Sequence, residues 1–94
     1  MPNVTLLKRK LVRVPAWHQP LFATGSFVFF FSREEPRIHV HVAHPDGEAK
    51  FWLTPQVVLA NHTGLSATQI RQAQAVVNAH LKEIQDAWNH HFGS

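Results

Sequence analysis

The chain contains no cysteine. That removes a disulfide framework, a thiolate zinc site and a cysteine nucleophile at once, and it is compatible with a reducing cytoplasm. Any metal site must then draw on His, Asp or Glu. Long apolar runs are also missing. The longest, residues 27–31, is far too short to span a bilayer, and the basic start at Lys8, Arg9, Lys10 and Arg13 is not followed by an uninterrupted apolar stretch of signal-peptide type. The expectation is a soluble, cytoplasmic protein with no membrane partner. There is no glycine- or serine-rich linker and no internal repeat, so the 94 residues read as a single domain, 1–94, near the small end of what one core can stabilise. No phosphate-binding glycine loop, nucleophile elbow or helix-borne His-Glu-x-x-His occurs, which sets aside the common nucleotide, hydrolase and metalloprotease readings.

What charge there is lies unevenly. The net charge is +3 with neutral histidines, yet residues 1–37 hold six Lys or Arg against two Glu, while residues 38–94 hold three against four acids. The segment Lys8-Arg9-Lys10-Leu11-Val12-Arg13 is a candidate contact for RNA, DNA or an acidic protein, against the plainer reading of a solvated strand or arm.

The order along the chain is strands first, helix last. Residues 4–14 are plausibly extended, and Pro15, His18, Pro20 and Gly25 then punctuate a loop, so residues 1–25 read as a variable amino-terminal strand and loop. A sheet is expected over 26–60. In it Phe27-Val28-Phe29-Phe30-Phe31 is apolar on both pleat faces, as in a central strand covered on both sides. A lone chain this small struggles to cover both. A homodimer or a cognate small protein is therefore the expected partner, with fold-back of the amino-terminal segment as the other possible cover. Gln56-Val57-Val58-Leu59-Ala60 is open between a last strand and a helical turn, and Asn61-His62-Thr63-Gly64 reads as a turn. Ser66 followed by Gln69 is a capping-box pattern. Beyond it Ile70, Ala73, Val77, Leu81, Ile84 and Trp88 recur at steps of three and four, which predicts one long helix over 66–91. The fold class is α+β: a small, mostly antiparallel sheet with a long carboxy-terminal helix packed on one face.

Chemistry concentrates in Ile38-His39-Val40-His41-Val42-Ala43-His44-Pro45-Asp46-Gly47-Glu48-Ala49-Lys50-Phe51-Trp52-Leu53, a hairpin with histidines at i and i+2. Register decides its meaning. Pairing that follows the apolar pattern puts Val40, Val42, Ala49, Phe51 and Leu53 on the core face. His39, His41, Glu48, Lys50 and Trp52 then form a polar, site-like face, with His41 opposite Lys50. A three-residue turn with Gly47 at a bulge would instead set His41 opposite Phe51 and bury the histidines. The first is preferred, because the second buries Lys50 or strands it beside Val42. On the polar face His39 and His41 can serve as base and acid with Lys50 stabilising phosphorane charge, the set for metal-independent cleavage of RNA. A bare His-x-His lacks the ligand spacing of a zinc motif, so no metal and no cofactor are expected. The remaining reading is a binding surface that includes Glu48 and Trp52 together with Lys8, Arg9, Lys10 and Arg13.

His39-Val40-His41-Val42, Gly47-Glu48-Ala49-Lys50-Phe51-Trp52-Leu53, Asn61, Gly64-Leu65-Ser66, and Trp88-Asn89 with Phe92 resemble the small bacterial domain of unknown function 4160 family, from about Phe29 to Phe92. The first 25 residues lie outside the likeness. The resemblance implies an α+β domain, bacterial and cytoplasmic, encoded beside another small domain in pairs that look like toxin–antitoxin modules, and it brings no activity with it. It marks His39, His41, Glu48, Lys50 and Trp52 as the positions of interest, with Asn61 and Trp88 as structural ones. An interaction component of such a module is the leading expectation, ahead of a His39/His41 ribonuclease and a nucleic-acid-binding regulator.

Overall fold

The structure is a computed structural model and describes residues 4–7, 10–13, 20–32 and 35–92, with side chains from residue 20 onward. Strands β1 (Val4–Leu7) and β2 (Lys10–Arg13) form an antiparallel pair of their own. Strands β3 (Pro20–Thr24), β4 (Phe27–Phe30), β5 (His39–His44), β6 (Gly47–Trp52) and β7 (Val58–Thr63) follow as a five-stranded antiparallel sheet, each strand beside its neighbour in sequence. Two helices end the chain, α1 (Ala67–Ala79) and α2 (Leu81–Phe92). The protein is an α+β fold. None of its described helices is long and apolar enough to cross a membrane.

Alternation of side chains across each strand sorts the residues by face. Phe27, Phe29, Phe31, Val40, Val42, Ala49, Phe51 and Leu53 meet Ala73, Val77, Ile84 and Trp88 of the helices in one continuous core. The helix stripe seen in the sequence is thus the sheet-packing face. On the opposite side of β4, Val28 and Phe30 are buried too and pack with Ala43. The backbone of β2 comes within 8 Å of β5 on Cα atoms. Both faces of the aromatic strand are therefore buried.

Three boundaries differ from the sequence expectation. The sheet begins at Pro20 rather than at 26, because the two-residue turn at Gly25 (φ 60) folds Pro20–Thr24 back onto β4. It also extends to Thr63: Asn61, His62 and Thr63 pair with Lys50, Ala49 and Glu48 instead of forming a turn. The bend comes one residue later, at Gly64 (φ 81), a conformation that glycine adopts without steric cost. Third, the single helix over 66–91 is broken at His80 (φ −114, ψ 19), whose N–H is shared between the carbonyls of Val76 and Val77. Its ring turns onto Phe22, 4.9 Å between centroids, and its Nδ1 meets Glu83 Oε1 at 2.7 Å. Those contacts favour the non-helical backbone there. The apolar stripe runs through the break undisturbed.

The capping box is present as expected. Ser66 Oγ accepts from the Gln69 N–H at 3.1 Å and Gln69 Oε1 accepts from the Ser66 N–H at 2.8 Å. Gln69 Nε2 also donates to Asp46 Oδ2 at 2.9 Å, so the start of α1 is tied to the hairpin turn.

Candidate functional site

The hairpin adopts the register in which Val40 faces Phe51, His41 faces Lys50 and His39 faces Trp52, around a two-residue Pro45-Asp46 turn. In that register the histidines and Lys50 share the face away from the helices. The next strands extend the rows: Phe30 lies beside His41, Asn61 beside Lys50, and Val58 beside Trp52. His39, His41, Lys50 and Trp52 are thus brought together as one cluster.

The cluster is enclosed rather than open. His39 is fully buried and Lys50 is 7% exposed, whereas the sequence reading pictured both on a polar surface. Aromatic neighbours account for much of this. The His39 ring lies 5.1 Å from His41, 5.8 Å from Trp52 and 5.1 Å from Trp88, which reaches it from α2. His41 stacks on Phe30 at 5.3 Å and 19°. Register alone could not show this, because the covering groups come from elsewhere in the chain.

Hydrogen bonding fixes the His39 tautomer. Its Nδ1 is 2.6 Å from the Arg37 carbonyl oxygen, which can only accept, so Nδ1 carries a hydrogen, and whenever the ring is neutral Nε2 is its bare nitrogen. That Nε2 is buried and has no hydrogen-bond partner among the described residues. His41 Nε2 is likewise screened from solvent. Lys50 Nζ makes an ion pair with the Glu35 carboxylate and sits 4.6 Å from the centre of the Trp52 ring. A buried ammonium requires such partners, since burying it bare is costly.

Trp52, like His41, is partly exposed. Besides Lys50, it carries the guanidinium of Arg37, whose Cζ lies 4.2 Å from the ring centroid while its Nη2 donates to the Thr54 carbonyl at 3.1 Å. Val58, opposite Trp52 in the ladder, is 42% exposed and is the one large exposed hydrophobic side chain among the described residues. Arg37, Glu35 and Val58 escaped the sequence reading. Arg37 and Glu35 lie in an irregular loop, where no periodicity announces which ring or ammonium they meet.

The other candidates are dispersed. Glu48 is exposed on β6, two residues from Lys50 on the same face. Lys8 and Arg9 lie outside the described residues. Lys10 and Arg13 are placed by backbone only, opposite Leu7 and Val4. Trp17 and His18 are also outside the described residues. His62, expected in a loop, is exposed on β7. His44 Nδ1 accepts from the Asp46 N–H at 3.0 Å, bracing the turn. Among the described residues no three His, Asp or Glu side chains converge as a metal cage. At the far edge, Leu21 and Phe22 with His80, Glu83, Ile84 and Ala87 line an apolar hollow of about 320 Å³.

A family model described as Domain of unknown function (DUF4160) matches residues 25–89, from the first turn of the sheet to the last turns of α2. The chain belongs to that family. The match takes in the whole His39–Trp52 hairpin and leaves β1, β2 and β3 outside the DUF4160 region. No curated protein and no solved structure matches the chain.

Proposed function

We propose that this DUF4160 domain is an interaction module that binds another protein through the surface around Trp52, as a component of a toxin–antitoxin-like pair in the bacterial cytoplasm. The observation that carries the reading is the pairing of Trp52, partly exposed beneath Arg37, with exposed Val58 on the neighbouring strand. Tryptophan and arginine are the residues that dominate binding energy at protein interfaces, and here they form one patch with an apolar neighbour. Buried His39 and Lys50, with His41 between them, then serve as the rigid backing of that patch.

A ribonuclease reading draws less support. A general base must reach its proton within hydrogen-bond distance, and the bare Nε2 of His39 is sealed inside the fold while Lys50 is engaged by Glu35. The experiment is co-expression with whichever small protein is found encoded beside it. Trp52→Ala and Arg37→Ala should each weaken the complex at least tenfold, about 1.4 kcal/mol or more. An unchanged complex overturns the reading. Incubation with RNA in chelator is the companion test: cleavage lost in His39→Ala, His41→Ala and Lys50→Ala would establish the ribonuclease instead.

A further inference from the structure

The five-stranded sheet ends in two edges, β3 and β7, and they are built differently. β3 opens on Pro20, which has no N–H to offer, and its pairing slips between Pro20 and Phe22. Since both edges slip once, the difference lies in proline, one of the usual means by which edges avoid further pairing. β7 reads Val58-Leu59-Ala60-Asn61-His62-Thr63, six residues without proline and without a Lys, Arg, Asp or Glu. Its ladder to β6 slips once, opposite Lys50 and Phe51, leaving Ala60 as the extra residue; Asn61, His62 and Thr63 run in regular register beyond it. An antiparallel edge directs N–H and C=O groups outward along its length. On β7 those groups lie beside exposed Val58, Asn61, His62 and Thr63.

We propose that β7 pairs antiparallel with β7 of a second copy of this chain about a twofold axis, joining two sheets of five strands into one. The choice of a second copy rests on charge. On the face away from the helices, one end of β7 is flanked by Trp52 carrying Arg37, and the other end by Glu48, which faces Thr63. An antiparallel twofold reverses one strand on the other, so the cationic end of each copy meets the acidic end of its partner, twice. With strands about 4.8 Å apart, the two β6 strands would lie about 14 Å apart. That separation exceeds the roughly 8 Å Debye length at physiological salt, so the complementary charges bias the encounter toward this orientation mainly at low ionic strength. The backbone ladder and the Val58 side chains then supply the contact. This inference rests on the binding reading above and adds a second contact, between copies of the chain along the β7 edge.

The full chain has no cysteine, so single cysteines report the geometry directly. Ala60→Cys, Asn61→Cys and His62→Cys, made one at a time, bracket the axis. At least one should give a disulfide-linked dimer, because Cβ atoms about 3.5–4.5 Å apart are required. Ala23→Cys on the β3 edge should not. Sedimentation of the native chain at about 100 micromolar should show a dimer, and Val58→Lys, checked for fold by circular dichroism, should raise its dissociation constant at least tenfold. A monodisperse monomer at that concentration, or cross-linking at Ala23 as ready as at the β7 positions, overturns the inference. If the chain is a monomer but Trp52→Ala still loses the co-encoded protein, the binding reading stands and only the dimer falls.

Discussion

The imidazole of His39 and the indole of Trp88 lie with ring centroids 5.1 Å apart and planes at 61°, although one belongs to β5 and the other to α2. Trp88 also packs edge-on against Phe31 at 5.3 Å, so the same indole closes the helix-side core and the histidine cluster. The two rings lock the end of α2 to the sheet. His39→Ala should therefore destabilise the fold by about 2–4 kcal/mol, and Trp88→Ala by about 3–5 kcal/mol, the range for deleting a buried ring. In a denaturant double-mutant cycle the pair should show coupling of about 0.5–1.5 kcal/mol. Strict additivity would mean that the rings are neighbours without an energetic link.

Gly47 and Gly64 hold the hairpin turn against the loop that leads into α1. A Cβ on Gly47 would overlap the Thr63 carbonyl oxygen, and one on Gly64 would overlap that of Asp46. Those oxygens are backbone atoms and cannot swing aside. Gly25, by contrast, has φ 60 but open space around it. Gly47→Ala should cost about 2–3 kcal/mol through overpacking. Gly25→Ala should cost about 1 kcal/mol, a left-handed penalty partly offset by a less flexible unfolded chain. Thermal unfolding of the two variants should place Gly47→Ala clearly lower, and the reverse order would show that the turn can open.

How far the fold could be read from the residues follows from which interactions are local. The capping box at Ser66 and Gln69, the stripe from Ile70 to Trp88 and the alternation in the hairpin are local patterns, and each appears in the structure. The preference for the register that pairs His41 with Lys50 rested on the cost of a buried ammonium. The register is the observed one, yet Lys50 is buried all the same, with Glu35 as its partner. That partner lies 15 residues away in an irregular loop, which periodicity does not address. The break at His80 was hidden for a related reason: the stripe continues across it, and its contact with Phe22 is long-range. Burial of both β4 faces likewise depends on tertiary packing that periodicity does not address.

The bond from Gln69 to Asp46 gives the helix cap a second task. Ser66→Ala should lose about 1 kcal/mol, the usual cost of an N-cap side chain. Gln69→Ala removes both the return bond to the Ser66 N–H and the tie to the turn. A cycle of Gln69→Ala with Asp46→Ala should show coupling of about 0.5–1 kcal/mol, in keeping with one exposed hydrogen bond. Coupling indistinguishable from zero would confine Gln69 to capping.

Zinc titration tests the histidine pair from a different side. A neutral imidazole whose Nδ1–H is held by a backbone carbonyl, as His39 is by Arg37, leaves Nε2 as the free donor, and that arrangement is common among metal ligands. Yet zinc takes four ligands, or three and a water, in tetrahedral array. His39 and His41 offer two, both nitrogens lie inside the fold, and no third His, Asp or Glu converges on them among the described residues. Opening the cluster to admit an ion would also disturb the packing on Trp88 and Phe30 that these rings provide. Calorimetric titration of the purified chain with Zn²⁺ near pH 7 should therefore reveal no sub-micromolar site. A tight site of unit stoichiometry that disappears in His39→Ala, with the variant still folded by circular dichroism, would instead assign metal binding to the pair.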